Sequence, residues 1–277
     1  MIDFHSHIIP GIDDGARNID ETIQLLEEAS KIGFDGVVLT SHYIENYFES
    51  NEKQRLEIIQ NIQEVLKKDN KNIKLYIGNE NYLSNNLINL IKDKKASSIN
   101  NSRYVLFEMP LTIEKEPMNL TDVIYKLQGN KFVPILAHPE RYTFIKKNPQ
   151  LVYDLVDMGV LMQSNYGSIL GQYGKRTETV AKILLKNNLV HFLGSDVHRE
   201  NTIYKRIPEA LYKIEKMIGA EKLSELTTIN PQLAINNKDI DFELPDKFKI
   251  SFMDKLLINW LLFIFIKNIL QWDLKIK

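Results

Sequence analysis

Short apolar runs alternate along this chain with longer stretches in which apolar positions recur every three or four residues. The first kind predicts buried strands, the second amphipathic helices. Strands are expected at residues 2–5, 36–40, 73–77, 104–107, 132–136, 160–163 and 189–193. Helices are expected at 20–32, 52–68, 83–91, 120–127, 151–157, 177–186 and 208–218. Ile23, Leu26 and Ala29 or Ser30 mark the apolar side of the first helix, which Gly33 ends; Leu56, Ile59, Ile62 and Leu66 mark that of the second.

Repeated βα units imply parallel strands joined by helical crossovers. About seven such units point to a barrel related to the eight-unit form, with an open doubly wound sheet as the alternative. No strand leads into a GxGxxG or P-loop, which weakens the nucleotide-binding version of the open sheet. A barrel carries its chemistry at the carboxyl ends of its strands. Polar residues should therefore collect directly after each predicted strand.

They do. His5, His7, Asp13 and Asp14 follow the first strand, Ser41 and His42 the second, Asn79 and Glu80 the third, and Glu108 the fourth. His138, Glu140 and Arg141 follow the fifth, Asp196 and His198 the seventh. Five of the six histidines fall at strand ends; His191 lies inside a strand and reads as a core histidine with a local hydrogen bond. Residues i and i+2 of extended chain face the same way. His5 with His7, and Asp196 with His198, can thus each offer two ligands to one cavity. Imidazole and carboxylate together suit Mn, Fe or Zn. Each piece alone has a plainer use: an HxH pair as ordinary surface, Glu80 or Glu108 as a solvated rim carboxylate. The weight comes from their convergence on one face.

The candidate ligands His5, His7, Asp14, His42, Glu80, Glu108, His138, Asp196 and His198 include four carboxylates. They are too many for one ion. Three divalent ions would leave a residual charge of about +2, which suits a phosphate dianion. The 277 residues fit one α/β barrel. The 35 basic and 36 acidic residues nearly cancel, and no Lys/Arg cluster flanks the motifs, so nucleic acid is not an expected partner. The absence of cysteine rules out disulfides and thiolate metal sites and fits a reducing compartment. The start lacks a basic region followed by an apolar one, so a cytoplasmic location is expected.

The ordered stretches Ile2-Asp3-Phe4-His5-Ser6-His7-Ile8, Gly11-Ile12-Asp13-Asp14-Gly15, Thr40-Ser41-His42, Gly78-Asn79-Glu80, Ser102-Arg103-Tyr104, Ala137-His138-Pro139-Glu140-Arg141-Tyr142 and Gly194-Ser195-Asp196-Val197-His198 carry a family resemblance. The chain resembles the polymerase and histidinol phosphatase (PHP) superfamily. Within it, the sequence is similar to the bacterial manganese-dependent protein-tyrosine phosphatases of capsule and exopolysaccharide gene clusters. HxH alone is a weak signal; HxH, DDG, AHPERY and SDxH in this order are specific. The resemblance implies a distorted (β/α)7 TIM-like barrel of the PHP type over residues 1–240, with a trinuclear site. His5, His7, Glu80 and Asp196 would hold the first metal. Glu80 would bridge to a second held by Glu108 and His138. Asp14, His42 and His198 would hold the third. The residues alone allow Asp13 or Asp14; the family pattern selects Asp14. Other branches often have His where Asp14 and Glu108 stand, so acidic residues there favour the tyrosine phosphatase branch.

By the same resemblance Arg141 grips the substrate phosphate, where the plainer reading is a rim salt bridge to Glu140. A second arginine is expected shortly after SDxH; Arg199 and Arg206 are both available, and Arg206 is preferred. Tyr43, Tyr142 and Tyr166 either border the pocket or pack in the core. The implied reaction is phosphotyrosine hydrolysis by a metal-activated hydroxide, with manganese the expected ion and iron or zinc compatible. The implied substrate is a phosphotyrosine protein, namely the tail of a membrane tyrosine kinase controlling polysaccharide export. The alternatives are a small-molecule phosphatase of the histidinol phosphatase kind and a noncatalytic metal-stabilised binding module.

Residues 241–277 form an apolar, basic tail. Residues 256–266 are apolar apart from Asn259, and from Asp246 onwards six lysines face three aspartates. The apolar part is shorter than the roughly 20 residues a spanning helix needs. A membrane-surface helix through 256–272, a helix docked on the barrel and a contact with a second copy of the chain are the three expectations for it.

Overall fold

The computed structural model describes residues 1–68, 71–244 and 247–258. Its strands are β1 (Ile2–Ser6), β2 (Gly36–Leu39), β3 (His42–Tyr43), β4 (Lys74–Ile77), β5 (Glu80–Tyr82), β6 (Tyr104–Glu108), β7 (Val133–Ala137), β8 (Leu161–Asn165) and β9 (Phe192–Gly194). They form two parallel sheets, β1-β2-β4 and β3-β5-β6-β7-β8-β9. β3 continues β2 after a two-residue break, and β5 continues β4 in the same way. The amide of Gly78 donates to Leu39 O (3.0 Å) and that of Glu80 to Thr40 O (3.0 Å) across these breaks. A parallel bridge between Ser6 and Val197 joins the end of β9 to β1, with the His7 amide donating to Val197 O (2.9 Å). The nine segments are thus seven staves of a distorted, closed barrel, which excludes the open doubly wound sheet.

Side chains alternate along each stave. Tyr104 and Leu106, Ile135 and Ala137, and Leu161 meet Ile2, Phe4, Val38 and Phe192 in the barrel interior. The intervening Val105, Phe107, Leu136 and Met162 pack against the helices outside. Strands buried on both faces carry near-continuous apolar runs, which is why they stand out in the sequence. Phe4 and Phe192 stack face to face inside the barrel, ring centroids 4.0 Å apart and 8° from parallel. Ala234 and Ile235, on the helix Asn230–Ile235, and Phe242 close the floor beneath them.

The chain after this helix straps the floor. Tyr104 Oη donates to Lys238 O (2.6 Å), the Arg103 amide to Asn237 Oδ1 (3.0 Å), and Arg103 pairs with Asp239. Asn187 exchanges two bonds with Lys249, its Nδ2 donating to the carbonyl (2.8 Å) and its Oδ1 accepting from the amide (2.7 Å). The first part of the expected tail is therefore docked on the barrel. The apolar run 256–266 falls largely outside the described residues. Among the described residues, no helix is long and apolar enough to cross a membrane.

Two local expectations shift. Leu56 is 43% exposed, while its neighbour Arg55 is fully buried. Arg55 donates to Ser97 Oγ (2.7 Å) and to the carbonyls of Ser50 and Lys95, so backbone acceptors compensate a buried cation. The last strand begins at Phe192, because His191 Nδ1 accepts from the Met162 amide (3.0 Å). Burial pushes this ring down to about 3, so it stays neutral, as a core histidine does.

Phe192→Ala removes one half of the interior stack and leaves a void between staves. It should cost about 3–5 kcal/mol of unfolding free energy, read from the midpoint of urea denaturation; an unchanged midpoint would show that this layer does not carry the barrel.

Candidate metal centre

The first stave owes its chemistry to an irregularity. Asp3 pairs with Val37 but Ser6 with Leu39, so β1 carries one residue more than β2 over this stretch. Such a bulge re-aims side chains. Phe4 and His5 consequently both face inward: Phe4 lies on Phe192, and His5 Nδ1 donates to Gln163 Oε1 (2.7 Å). Asp3 faces outward, accepting from the Ser195 amide (2.8 Å) and from Tyr204 Oη (2.8 Å). Gly15 and Gly194 keep the loops close. A Cβ on Gly15 would lie 1.9 Å from His7 O, and one on Gly194 would lie 2.5 Å from His5 Cβ.

All nine candidate ligands meet at the mouth. They form four overlapping sets whose ligand atoms lie within 4.8 Å of one another: His7, Asp14, His42 and His198; His5, Glu80 and His138; His5, His7 and Asp196; His42, Glu80 and Glu108. Glu80 belongs to two of these sets and touches a third. Its Oε2 lies 3.3 Å from Nε2 of both His5 and His7 and 3.2 Å from His42 Nδ1, and its Oε1 accepts from His138 Nε2 (2.7 Å). Glu108 Oε1 is 3.0 Å from His42 Nδ1. Asp14 Oδ1 lies 3.4 Å from His198 Nε2 and 3.6 Å from His42 Nε2. His138 and Asp196 adopt left-handed backbone conformations, φ 36° and 53°. Such strain in non-glycine residues is held only where the surroundings enforce it.

The donor set fits divalent cations. Glu80 Oε2 and His42 Nδ1 are buried, face one another and have no hydrogen-bond partner. Buried polar atoms seldom stay unsatisfied, and a cation among these nitrogens and oxygens would satisfy them. Burial opposes protonation of His5, but Glu80 and Asp196 prevail and push it up to about 9. His42 is raised in the same way, to about 10, by Glu80 and Glu108. Burial works against the Asp196 carboxylate, yet His5 and Arg141 hold it down at about 2.

A second layer orients these groups. Asp13, the neighbour of Asp14, accepts from His7 Nδ1 (3.0 Å) and from the amides of Gly15 (2.9 Å) and His42 (2.9 Å). It leaves His7 Nε2 facing the cluster and welds the first two motifs together. Gln163 orients His5 and donates to Asn165 Oδ1 (2.8 Å); Asn165 Nδ2 donates to Asp196 Oδ2 (2.8 Å). Neither β8 residue was singled out from sequence, although two polar residues at period two ending a buried strand are the same signal that marked the other staves.

Arg141 pairs with Asp196, and its guanidinium lies over the Tyr173 ring, 4.3 Å from the centroid. Glu140 turns away: its Oε1 accepts from the Asn165 amide (2.9 Å) and from Ser168 Oγ (2.6 Å). Tyr173 carries no motif signal. Arg206 Nη2 reaches Leu170 O (3.4 Å) and lies 4.0 Å from Glu209. Arg199 donates to the carbonyls of Gly15 and His198. Tyr43 packs with Leu90 and Ala96. Tyr166 is in the core, and Tyr142 Oη accepts from the Met109 amide (3.0 Å) with its ring 5.7 Å from that of His138.

A closed parallel barrel with imidazoles and carboxylates massed at one mouth defines a protein of the barrel class built to gather divalent cations. The capsular polysaccharide synthesis family CpsB/CapC matches residues 1–236, and the chain belongs to that family. It is 30% identical over 249 residues to the tyrosine-protein phosphatase YwqE of Bacillus subtilis, covering 90% of this chain and 97% of that one. It is 30% identical over 242 residues to the tyrosine-protein phosphatase CpsB of Streptococcus pneumoniae, covering 85% and 98%. A chain from the crystal structures of YwqE and CpsB, described as metal-dependent tyrosine phosphatases, superposes with a TM-score of 0.84 at 30% identity, over 90% of this chain and 100% of that one.

A ligating imidazole must be neutral, whereas His5 and His42, raised to about 9 and about 10, are protonated at pH 7 in the cation-free protein. Manganese binding should therefore release protons, and its apparent affinity should rise between pH 6 and pH 8. Calorimetry in two buffers of different ionisation enthalpy measures both; no proton release would show that these rings are not ligands. Gln163→Ala should weaken binding about 10- to 100-fold by freeing His5.

Proposed function

We propose that this chain is a metal-dependent phosphatase that hydrolyses phosphotyrosine in proteins. The observation that carries the reading is the buried Glu80 carboxylate facing three imidazoles without a hydrogen bond at Oε2. Its family and the names of its relatives support the substrate class. His5, His7, Glu80 and Asp196 would hold one cation, Glu80, Glu108 and His138 a second, and Asp14, His42 and His198 a third; manganese is the expected ion, and iron or zinc also suits nitrogen and oxygen donors. When bound, such ions acidify water and neutralise charge on phosphoryl oxygens.

The protein's own groups do the rest. Arg141, braced by Tyr173 and Asp196, presents two N–H donors that match two phosphate oxygens. Arg206 is the second phosphate-binding arginine in this reading; its contact with Leu170 puts it near the root of the loop that carries Tyr173. Gln163, Asn165 and Asp13 fix the ring and carboxylate orientations before substrate arrives, so little reorganisation accompanies the reaction. With no cysteine in the chain, no phosphocysteine can form, and the phosphoryl group passes directly to water. The phenolate is a fair leaving group and needs little help from an acid.

The physiological substrate in this reading is the tyrosine-rich tail of a membrane kinase that controls polysaccharide export, with the protein in the cytoplasm. The apolar stretch 256–272, with lysines before and after it, supports contact with the membrane surface.

Asp196→Ala or His138→Ala should abolish manganese-dependent hydrolysis of a phosphotyrosine peptide, and Arg141→Ala should lower kcat/KM by about 10²- to 10³-fold, with circular dichroism unchanged. Near-normal turnover in any of them, or faster turnover of histidinol phosphate than of the peptide by the wild type, would reject the assignment. Removing residues 251–277 should shift the protein from membrane to soluble fractions; unchanged partitioning would remove the membrane contact.

A further inference from the structure

Beyond His42 the chain makes a small feature that neither the metal cluster nor the core requires. Ile44 and Phe48 close an antiparallel bridge, each amide donating to the other's carbonyl at 2.9 Å. Asn46 turns the chain at a left-handed φ of 64°, and its amide donates to Glu49 Oε1 (2.8 Å). Glu45 accepts from Ser84 Oγ (3.2 Å) and Asn86 Nδ2 (3.0 Å), which ties the hairpin to the segment after β5. The mount is thus fixed at both ends.

It carries two aromatic rings. Phe48 lies nearly parallel to the His42 imidazole, 11° off with centroids 6.1 Å apart. Tyr47 packs edge-on against Phe48 at 4.5 Å and remains 75% exposed. Phe48 is half-buried between His42 and Tyr47, and the Tyr47 ring is left free to cover something that arrives. An aryl phosphate held by its phosphoryl group carries its ring just beyond the bridging oxygen, at this rim. A serine or threonine ester puts only a small aliphatic group there. Aromatic rings meet favourably in offset or edge-on contact, and the Tyr47–Phe48 pair offers both a face and an edge.

We propose that Tyr47 and Phe48 form a subsite that receives the phenyl ring of the substrate and selects aryl over alkyl phosphate esters. The proposal rests on the phosphatase reading above. Tyr173, by contrast, already has its ring covered by Arg141.

The test measures binding of phenylphosphonate and methylphosphonate to the full-length, manganese-loaded protein by calorimetry, beside kcat/KM for phosphotyrosine and phosphoserine peptides of one sequence. The wild type should prefer the phenyl compound. Tyr47→Ala and Phe48→Ala should each cut the phenyl-over-methyl ratio and the phosphotyrosine-over-phosphoserine ratio by about three- to tenfold, and Tyr47→Phe should retain both. Tyr47 is exposed, so its replacement leaves the core untouched. Unchanged binding ratios in both alanine variants, or equal weakening of the two phosphonates, would overturn the subsite. A wild type that prefers phenylphosphonate but turns over no phosphotyrosine would reject the activity and leave the subsite standing on the variants' binding ratios.

Discussion

A single buried carboxylate organises the mouth of this barrel. Glu80 sits at the start of β5, where one stave resumes after its break, and faces four imidazoles, His5, His7, His42 and His138, from three different parts of the chain. Isolated, an ion so placed would be expelled or neutralised. Burial raises its proton affinity, but the surrounding imidazoles hold it well below the ordinary carboxylate range. The cost of placing one charge inside is offset only if all the staves arrive in register. That makes the site a consequence of barrel closure as much as of ligand identity.

The backbone absorbs the misfit between regular strands and a cluster of side chains. A bulge in β1 turns two consecutive residues inward, the breaks in two staves bring His42 and Glu80 round to the pocket, and left-handed turns at His138 and Asp196 aim the last two groups. Beneath this layer the staves are ordinary, with Phe4 on Phe192 and alternating aliphatic residues. The protein therefore keeps a plain apolar layer for stability and an irregular polar one for chemistry, stacked along one axis.

This division also explains what could be read from the chain alone. The lower layer announced itself: strands buried on both faces write continuous apolar runs, and seven of them with helices between gave the barrel. The ligands were legible because each stands directly after such a run. Breaks and bulges left no trace in composition, so β3 and β5 were not foreseen as continuations of earlier staves. Asp13 and Asp14 could not be separated by residue type; their roles differ only because Gly15 lets the loop fold back on His7 O. Gln163 and Asn165 were overlooked because amides, unlike imidazoles, do not advertise coordination. Tyr173 meets Arg141 from a loop with no motif of its own. Arg55 takes the buried place expected of Leu56, beside Ile59, Ile62 and Leu66, because its guanidinium found carbonyls to satisfy it, which periodicity cannot express.

The strap at the barrel floor has a geometric consequence. Lys238, Asp239 and Lys249 contact residues at the amino ends of the staves, on the opposite side from Glu80 and its imidazoles. The described part of the tail is thus fastened on the side away from the metal ligands. Shortening the chain before Lys249 would strip those two bonds from Asn187 at the floor and leave every contact among the ligands in place.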